Sequence, residues 1–266
     1  MTKGKLSSEW RDASSIRNIK AFIQASELKP ELLHWLESDR RSGVRALASQ
    51  VSRKLKRVNA ENRRLADMMK FERKLLHGGY RFIAGVDEVG AGPLAGPVVA
   101  AAAIMDFSHL VHDVKDSKRL SERQRTRIES ELRSEAKAVA FGWVDPQEID
   151  EVNIYQASLL AMRRAVEGLD IAPDHLLVDA RTVPGMKCPQ EAIIGGDNVS
   201  YAIAAASILA KQARDRYMVE VDSSYPDYGF AAHKGYGTSR HLEALKRFGP
   251  CPLHRKSFAP VSASLI

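Results

Sequence analysis

Four carboxylates in this chain sit where an apolar run ends. Asp87 and Glu88 follow the run 83–86 and lead into a glycine- and proline-rich stretch, Gly90-Ala91-Gly92-Pro93-Leu94-Ala95-Gly96-Pro97. Asp179 closes Leu176-Leu177-Val178, and Asp197 closes Ala192-Ile193-Ile194-Gly195-Gly196 ahead of a long helical pattern. Short apolar runs bounded by turn residues read as buried strands, so three strand ends deliver four acids. If those strands are neighbours, the acids converge. Like charges a few ångströms apart raise one another's pKa or demand a counter-ion. A set of oxygen donors suits a hard divalent cation, Mg²⁺ or Mn²⁺. Consecutive strand residues point to opposite faces, so Asp87 and Glu88 are expected to share a site only if the strand ends or bulges there. Gly90 and Gly92 supply freedom for such a bend and let backbone N–H groups approach an oxygen-rich ligand. A plain hairpin with two surface acids is the competing reading.

The elements that would hold these groups follow from hydrophobic periodicity. Strands are expected at 81–86, 98–105, about 138–144, 176–180 and 191–195, with helices near 147–168, 199–219 and 239–248. This is a mixed α/β layout with helices packed on a sheet. The small apolar residues from Ile203 to Ala210 mark the second helix as buried. Before Tyr80 the pattern changes: Ile16, Ile19, Phe22 and Ile23, then Leu32, Leu33 and Leu36, then Val44, Leu47, Val51, Leu55, Val58, Leu65 and Met68 recur at helical spacing. A small helical N-terminal domain or arm is expected over 1–76, with a break at Pro30. His77-Gly78-Gly79 forms the junction to a catalytic domain over 77–266.

Taken in order, Gly85-Val86-Asp87-Glu88-Val89-Gly90, Pro93-Leu94-Ala95-Gly96-Pro97-Val98-Val99-Ala100, Asp116-Ser117-Lys118-Arg119-Leu120-Ser121, Leu176 to Asp179, Gly196-Asp197 and Ile203 to Lys211 resemble the ribonuclease HII family. So do Arg214-Asp215-Arg216, His233-Lys234-Gly235-Tyr236-Gly237-Thr238 and Leu253-His254-Arg255-Lys256-Ser257-Phe258. The resemblance spans roughly Tyr80 to Val261, and the ordered set is far more specific than any one motif. It implies a ribonuclease H-like mixed sheet flanked by helices. The implied activity is endonucleolytic hydrolysis of the RNA strand of RNA/DNA hybrids, including single ribonucleotides embedded in duplex DNA. Two divalent ions about 3.5–4 Å apart would activate water and stabilise the departing 3′-oxygen, leaving 5′-phosphate and 3′-hydroxyl ends. By the same resemblance Asp87, Glu88, Asp179 and Asp197 are the catalytic and metal-binding set, with Asp87 bridging.

Substrate contacts implied by the resemblance are Gly90, Ala91 and Gly92, Ser117 and Lys118, and Tyr236 stacking on a sugar, while Lys211 and Arg214, three apart on one helix face, are read as candidate contacts to the phosphate backbone. Each has an ordinary alternative: a solvated loop for Ser117, helical pairing with Asp215 or Glu220 for Lys211 and Arg214, and a packed turn tyrosine for Tyr236. One departure is clear, since the family usually carries Gly-Arg-Gly where this chain has Gly90-Ala91-Gly92. Ala91 keeps the backbone donors and supplies no cation, so weaker binding at embedded ribonucleotides is expected. A ribonuclease HIII-like enzyme confined to hybrids is one alternative, and a nucleic-acid-binding protein without turnover is another.

Charge points to the same class of partner. The chain carries 40 Lys+Arg against 33 Asp+Glu, and residues 1–80 hold 18 of the basic and 9 of the acidic residues. Arg53, Lys54, Lys56, Arg57, Arg63 and Arg64 make this segment a candidate grip on duplex phosphates, with a solvated helical face as the alternative. Two cysteines, Cys188 and Cys251, have no zinc spacing with His233 or His254, and they predict a reduced protein without a disulfide framework. No apolar leader and no run of roughly 18 apolar residues is found. A soluble, cytoplasmic protein is expected, monomeric by default, with any replication-clamp partner left open.

Overall fold

The computed structural model describes residues 15–25, 30–115, 117 and 120–265. Its chain divides into two compact units, Met1–Arg64 and Leu65–Ile266. In the first, helices α1 (Ile16–Ala25), α2 (Pro30–Ser38) and the part of α3 (Ser42–Met68) up to Arg64 enclose Ile19, Leu36, Val44 and Val51. Arg53, Lys54, Lys56, Arg57 and Arg63 are exposed, while Arg64 pairs with Glu61 at 2.6 Å.

The second unit begins inside α3 and continues through α4 (Lys70–His77), β1 (Ile83–Val89), β2 (Val98–Met105), α5 (Glu122–Glu135) and β3 (Ala136–Val144). It then runs through α6 (Pro146–Val152), α7 (Ile154–Glu167), β4 (His175–Asp179), β5 (Gln190–Ile193), α8 (Gly196–Val199) and α9 (Tyr201–Glu220). Helices α10 (Phe230–His233), α11 (Ser239–Phe248) and α12 (Ala259–Ser262) follow. The five strands form one sheet in the order β3-β2-β1-β4-β5. The pairs β1–β2 and β2–β3 are antiparallel, whereas β1–β4 and β4–β5 are parallel. The C-terminal ends of β1, β4 and β5 therefore lie along one edge, where ligand sites of such sheets form.

Alternation on the strands sends side chains to two cores. Ala101, Ala103 and Met105 face Tyr201, Ala204 and Ile208 of α9, while Ala84, Val86, Ala102 and Ile104 face Ala161, Met162 and Ala165 of α7. Gly85 lies on the α9 side, where a Cβ would overlap the backbone carbonyl of Ala202. Only glycine lets α9 come this close to β1.

Three details differ from the sequence-based expectations. The helix expected over 147–168 is two helices, because Asn153 adopts φ 72° and its Oδ1 caps α7 by accepting from the N–H groups of Tyr155 and Gln156. Helix α5 has only two apolar residues among its fourteen, Ile128 and Leu132, so periodicity hides it. The Ser121–Gln124 capping box was its readable mark. Strand β1 neither ends nor bulges at the acids, since its register with β2 runs unbroken through Asp87↔Ala101, Glu88↔Ala100 and Val89↔Val99. Its pairing with β4 stops at Val86↔Val178.

Candidate active site

Asp87 and Glu88 occupy the stretch of β1 that has left β4 while still paired to β2. Regular strand geometry turns Asp87 toward α9 and Glu88 toward the α7 side. Asp87 is 6% exposed, and its carboxylate accepts from the Glu88 N–H at 2.8 Å and from the Ser207 hydroxyl on α9. Burial pushes its pKa well above the usual carboxylate range, and the negative charges of Glu88 and Asp179 push it further. Two acids on opposite sides of one strand thus still act on each other, because they stand at its open end.

Asp179 is the last residue of β4, and its Oδ1 accepts from the Gly196 N–H at 2.7 Å. Asp197 follows Gly196 in α8, and its Oδ1 accepts from Asn198 Nδ2 at 2.8 Å. The backbone at Gly196 therefore ties the two single acids together. Among the described residues no three His, Cys, Asp or Glu side chains close into a ready cation cage, and one carboxylate oxygen each of Asp87, Asp179 and Asp197 accepts from an N–H donor. The chemistry still fits a hard cation. A buried carboxyl crowded by two like charges with only oxygen donors gains most from a divalent ion.

The glycine-proline loop after the acids is fastened by two arginines that are wholly buried. Arg255 donates from Nη2 to the Gly90 carbonyl at 2.6 Å, from Nη1 to Ala91 at 3.1 Å and from Nε to Gly96 at 3.0 Å. Arg214 donates from Nε to Pro97 at 2.9 Å, from Nη2 to Ala95 at 3.1 Å and from Nη1 to Lys234 at 2.9 Å. Among the described residues neither makes an ion pair. Burial lowers the pKa of Arg214 to about 10, and burial together with Arg214 lowers that of Arg255 to about 9. Gly90 has φ 91°, and a Cβ there would meet the Arg214 side chain.

The remaining sequence candidates divide. Ser117 is buried, its hydroxyl 3.3 Å from that of Ser207, which places it behind Asp87 rather than on a solvated loop. Lys118 lies outside the described residues. Lys211 pairs with Asp215 at 2.7 Å, the ordinary helical use of its charge. Arg214 corrects the reading of a phosphate-facing cation: its fork is spent on loop carbonyls inside the protein. Tyr236 is 41% exposed, 6.0 Å from the Arg214 guanidinium, and its carbonyl accepts from His241 Nδ1 at 2.9 Å. In the tripeptide Ala91 is half-buried and Gly92 exposed.

Sequence reasoning missed Ser207, Arg255 and Glu72. Ser207 is the lone hydroxyl in the apolar run 203–210, the one local signal it offered. Glu72, fully buried on α4, accepts from Ser200 Oγ at 2.6 Å and the Ala202 N–H at 2.9 Å, and so caps α9. Burial raises its pKa.

Comparison with known proteins gives the family. The family model described as ribonuclease HII matches residues 84–261, and that of the ribonuclease HII N-terminal domain matches residues 15–76. The ribonuclease HII of Myxococcus xanthus is 50% identical over 243 residues, spanning 91% of this chain and 83% of that protein. That of Bacillus licheniformis is 46% identical over 250 residues, spanning 94% and 98%. The crystal structure of ribonuclease H2 from Pyrococcus horikoshii OT3 superposes with a TM-score of 0.60 at 27% identity, over 69% of this chain and 97% of that one. The Archaeoglobus fulgidus ribonuclease HII, solved in complex with PCNA, gives 0.56 at 25% identity over 67% and 95%. Matched by both family models and sharing half its residues with a relative over most of its length, the chain belongs to the ribonuclease HII family and is a ribonuclease H enzyme.

Proposed function

We propose that this enzyme is a metal-dependent endonuclease that hydrolyses the RNA strand of RNA/DNA hybrids and cuts at single ribonucleotides embedded in duplex DNA, leaving 5′-phosphate and 3′-hydroxyl ends. The observation that carries the reading is the buried Asp87 carboxyl, its pKa raised by burial and by the charges of Glu88 and Asp179 at the open end of β1. Asp87, Glu88, Asp179 and Asp197 would hold Mg²⁺ or Mn²⁺. A divalent ion held there would supply Lewis-acid charge that offsets the carboxylates and the scissile phosphodiester and lowers the pKa of an attacking water. Ser207 and the Glu88 N–H orient Asp87, the Gly196 N–H orients Asp179, and Arg255 holds the tripeptide whose backbone faces the ribonucleotide. Tyr236 stacks on the neighbouring sugar, and the basic segment within 1–76 grips the duplex.

The test is cleavage of two labelled duplexes, a continuous RNA/DNA hybrid and a DNA duplex with one ribonucleotide, each with Mg²⁺, Mn²⁺ or chelator. Metal-dependent cutting of both is expected. Cutting of the hybrid alone ties Ala91 to lost recognition of isolated ribonucleotides and favours the ribonuclease HIII-like alternative, and absence of cutting overturns the nuclease reading.

A further inference from the structure

Arg181 stands two residues beyond Asp179, past Ala180, whose backbone is in the left-handed region at φ 52°. Its Nη2 lies 3.7 Å from Glu88 Oε1, outside hydrogen-bond reach. Its Cζ sits 4.9 Å from the centroid of the Tyr155 ring, which is 55% exposed at the start of α7. Its Nη1 is buried and has no hydrogen-bond partner among the described residues.

Several arginines of this protein grip a carboxylate with a two-bond fork. Arg64 grips Glu61 with two bonds of 2.8 and 2.6 Å, Arg216 grips Glu129 at 2.6 and 2.8 Å, and Arg164 grips Glu148 at 2.9 and 2.6 Å. Arg181 makes no such fork with Glu88. A left-handed alanine and an N–H group buried without an acceptor are both unfavourable, and such costs cluster at functional sites. The Tyr155 ring carries the guanidinium, and the Arg181 side chain is 26% exposed, so the N–H groups that reach solvent are left for a two-oxygen acceptor.

We propose that Arg181, carried on the Tyr155 ring, binds a backbone phosphodiester of the nucleic-acid strand lying across the four acids. The inference rests on the nuclease reading above and adds a substrate-binding residue to it. Nucleic-acid phosphate suits the site because it offers the paired oxygens that Glu88 does not bring within hydrogen-bond reach, and because a guanidinium 3.7 Å from Glu88 lowers the repulsion a polyanion meets there.

The experiment measures binding of a labelled RNA/DNA hybrid to the full chain by fluorescence anisotropy, in chelator, across a salt series, for wild type, Arg181→Met and Arg181→Lys. Mn²⁺ affinity is measured alongside by calorimetry. Arg181→Met is expected to bind about tenfold more weakly, with a log–log salt slope shallower by roughly 0.7–0.9, the share of one phosphate. Its Mn²⁺ affinity should stay within about twofold of wild type on this proposal. Arg181→Lys should keep the slope and lose affinity a few-fold, since it retains charge without the fork. Hybrid binding unchanged in Arg181→Met, with Mn²⁺ affinity altered, would make Arg181 a counter-ion of Glu88 and overturn the proposal. Should the Met variant fail to fold, wild-type affinity in Arg181→Lys overturns it equally. Because binding is read without metal, a wild-type protein that binds but never cuts refutes the nuclease reading and leaves the phosphate-binding role of Arg181 decided by its own variants.

Discussion

His241 Nε2 lies 3.0 Å from His254 Nε2 in the interior of the catalytic unit, and one arrangement of protons satisfies both rings. The Cys251 N–H donates to His254 Nδ1 at 3.0 Å, so His254 carries its proton on Nε2 and donates it to His241. His241 then carries its own proton on Nδ1 and donates to the carbonyl of Tyr236. His233 stacks on His241 with ring centroids 4.4 Å apart. Both rings must be neutral, since a second proton would set N–H against N–H.

Acid should therefore unfold this protein through these rings. Burial, then the neighbouring His241, lowers the pKa of His254 to about 4, and burial also lowers that of His241. Between an unfolded value near 6.5 and the folded value, the unfolded chain binds more protons. The contribution is complete above about pH 6.5 and is lost as pH falls toward 4, up to about 3 kcal/mol for His254 at ~1.4 kcal/mol per pKa unit. Urea unfolding of wild type and His254→Asn at a series of pH values checks this. The variant should show a flatter profile over that window.

Asp87→Asn should reduce turnover by at least ~100-fold, more than loss of an outer partner costs, without lowering the melting temperature. The substitution keeps the shape and removes a buried charge that Glu88 and Asp179 oppose. Ser207→Ala, which removes the hydroxyl bonded to Asp87, should cost roughly 10- to 100-fold in activity or Mn²⁺ affinity. Steady-state cleavage and thermal melts separate the two effects, and an Asp87→Asn enzyme with full activity would remove Asp87 from the site.

Arg255→Lys should destabilise the protein by about 3 kcal/mol despite the conserved charge. A lysine cannot reach the carbonyls of Gly90, Ala91 and Gly96 together, and the acceptors left behind are buried. Chemical denaturation reads the loss, and an unchanged midpoint would show that the loop holds its shape without the fork.

Two truncations should behave differently. Removing residues 1–64 leaves the compact unit from Leu65 whole, so the protein should fold and cut while binding more weakly with a flatter salt dependence. Removing 1–76 also takes away Leu65, Met68, Met69 and Leu75 from the core and Glu72 from the start of α9. Each large apolar loss costs ~2–5 kcal/mol, so this shorter chain should lose its cooperative melt. Calorimetry and anisotropy on the pair check both statements.

What the sequence determined by itself was local. Apolar runs ending in Asp87 and Asp179 were legible because strand burial and turn chemistry are written in neighbouring residues, and the helical spacing before Tyr80 was legible for the same reason, whereas Asp197 falls in α8 beyond a strand that stops at Ile193 and an exposed Ile194. The family motifs then gave the order of the fold. Tertiary structure decided the rest. Which side chain meets Asp87, Glu88 or the glycine loop depends on packing that joins residues far apart in the chain, so Arg255 and Arg181 carried no local mark of their roles and Ser207 only that of a lone hydroxyl in an apolar run. Arg214 shows the limit most sharply. Its helical spacing from Lys211 was correct, yet only the packing of α9 against the loop decided that its guanidinium would face carbonyls inside the protein rather than phosphate outside it.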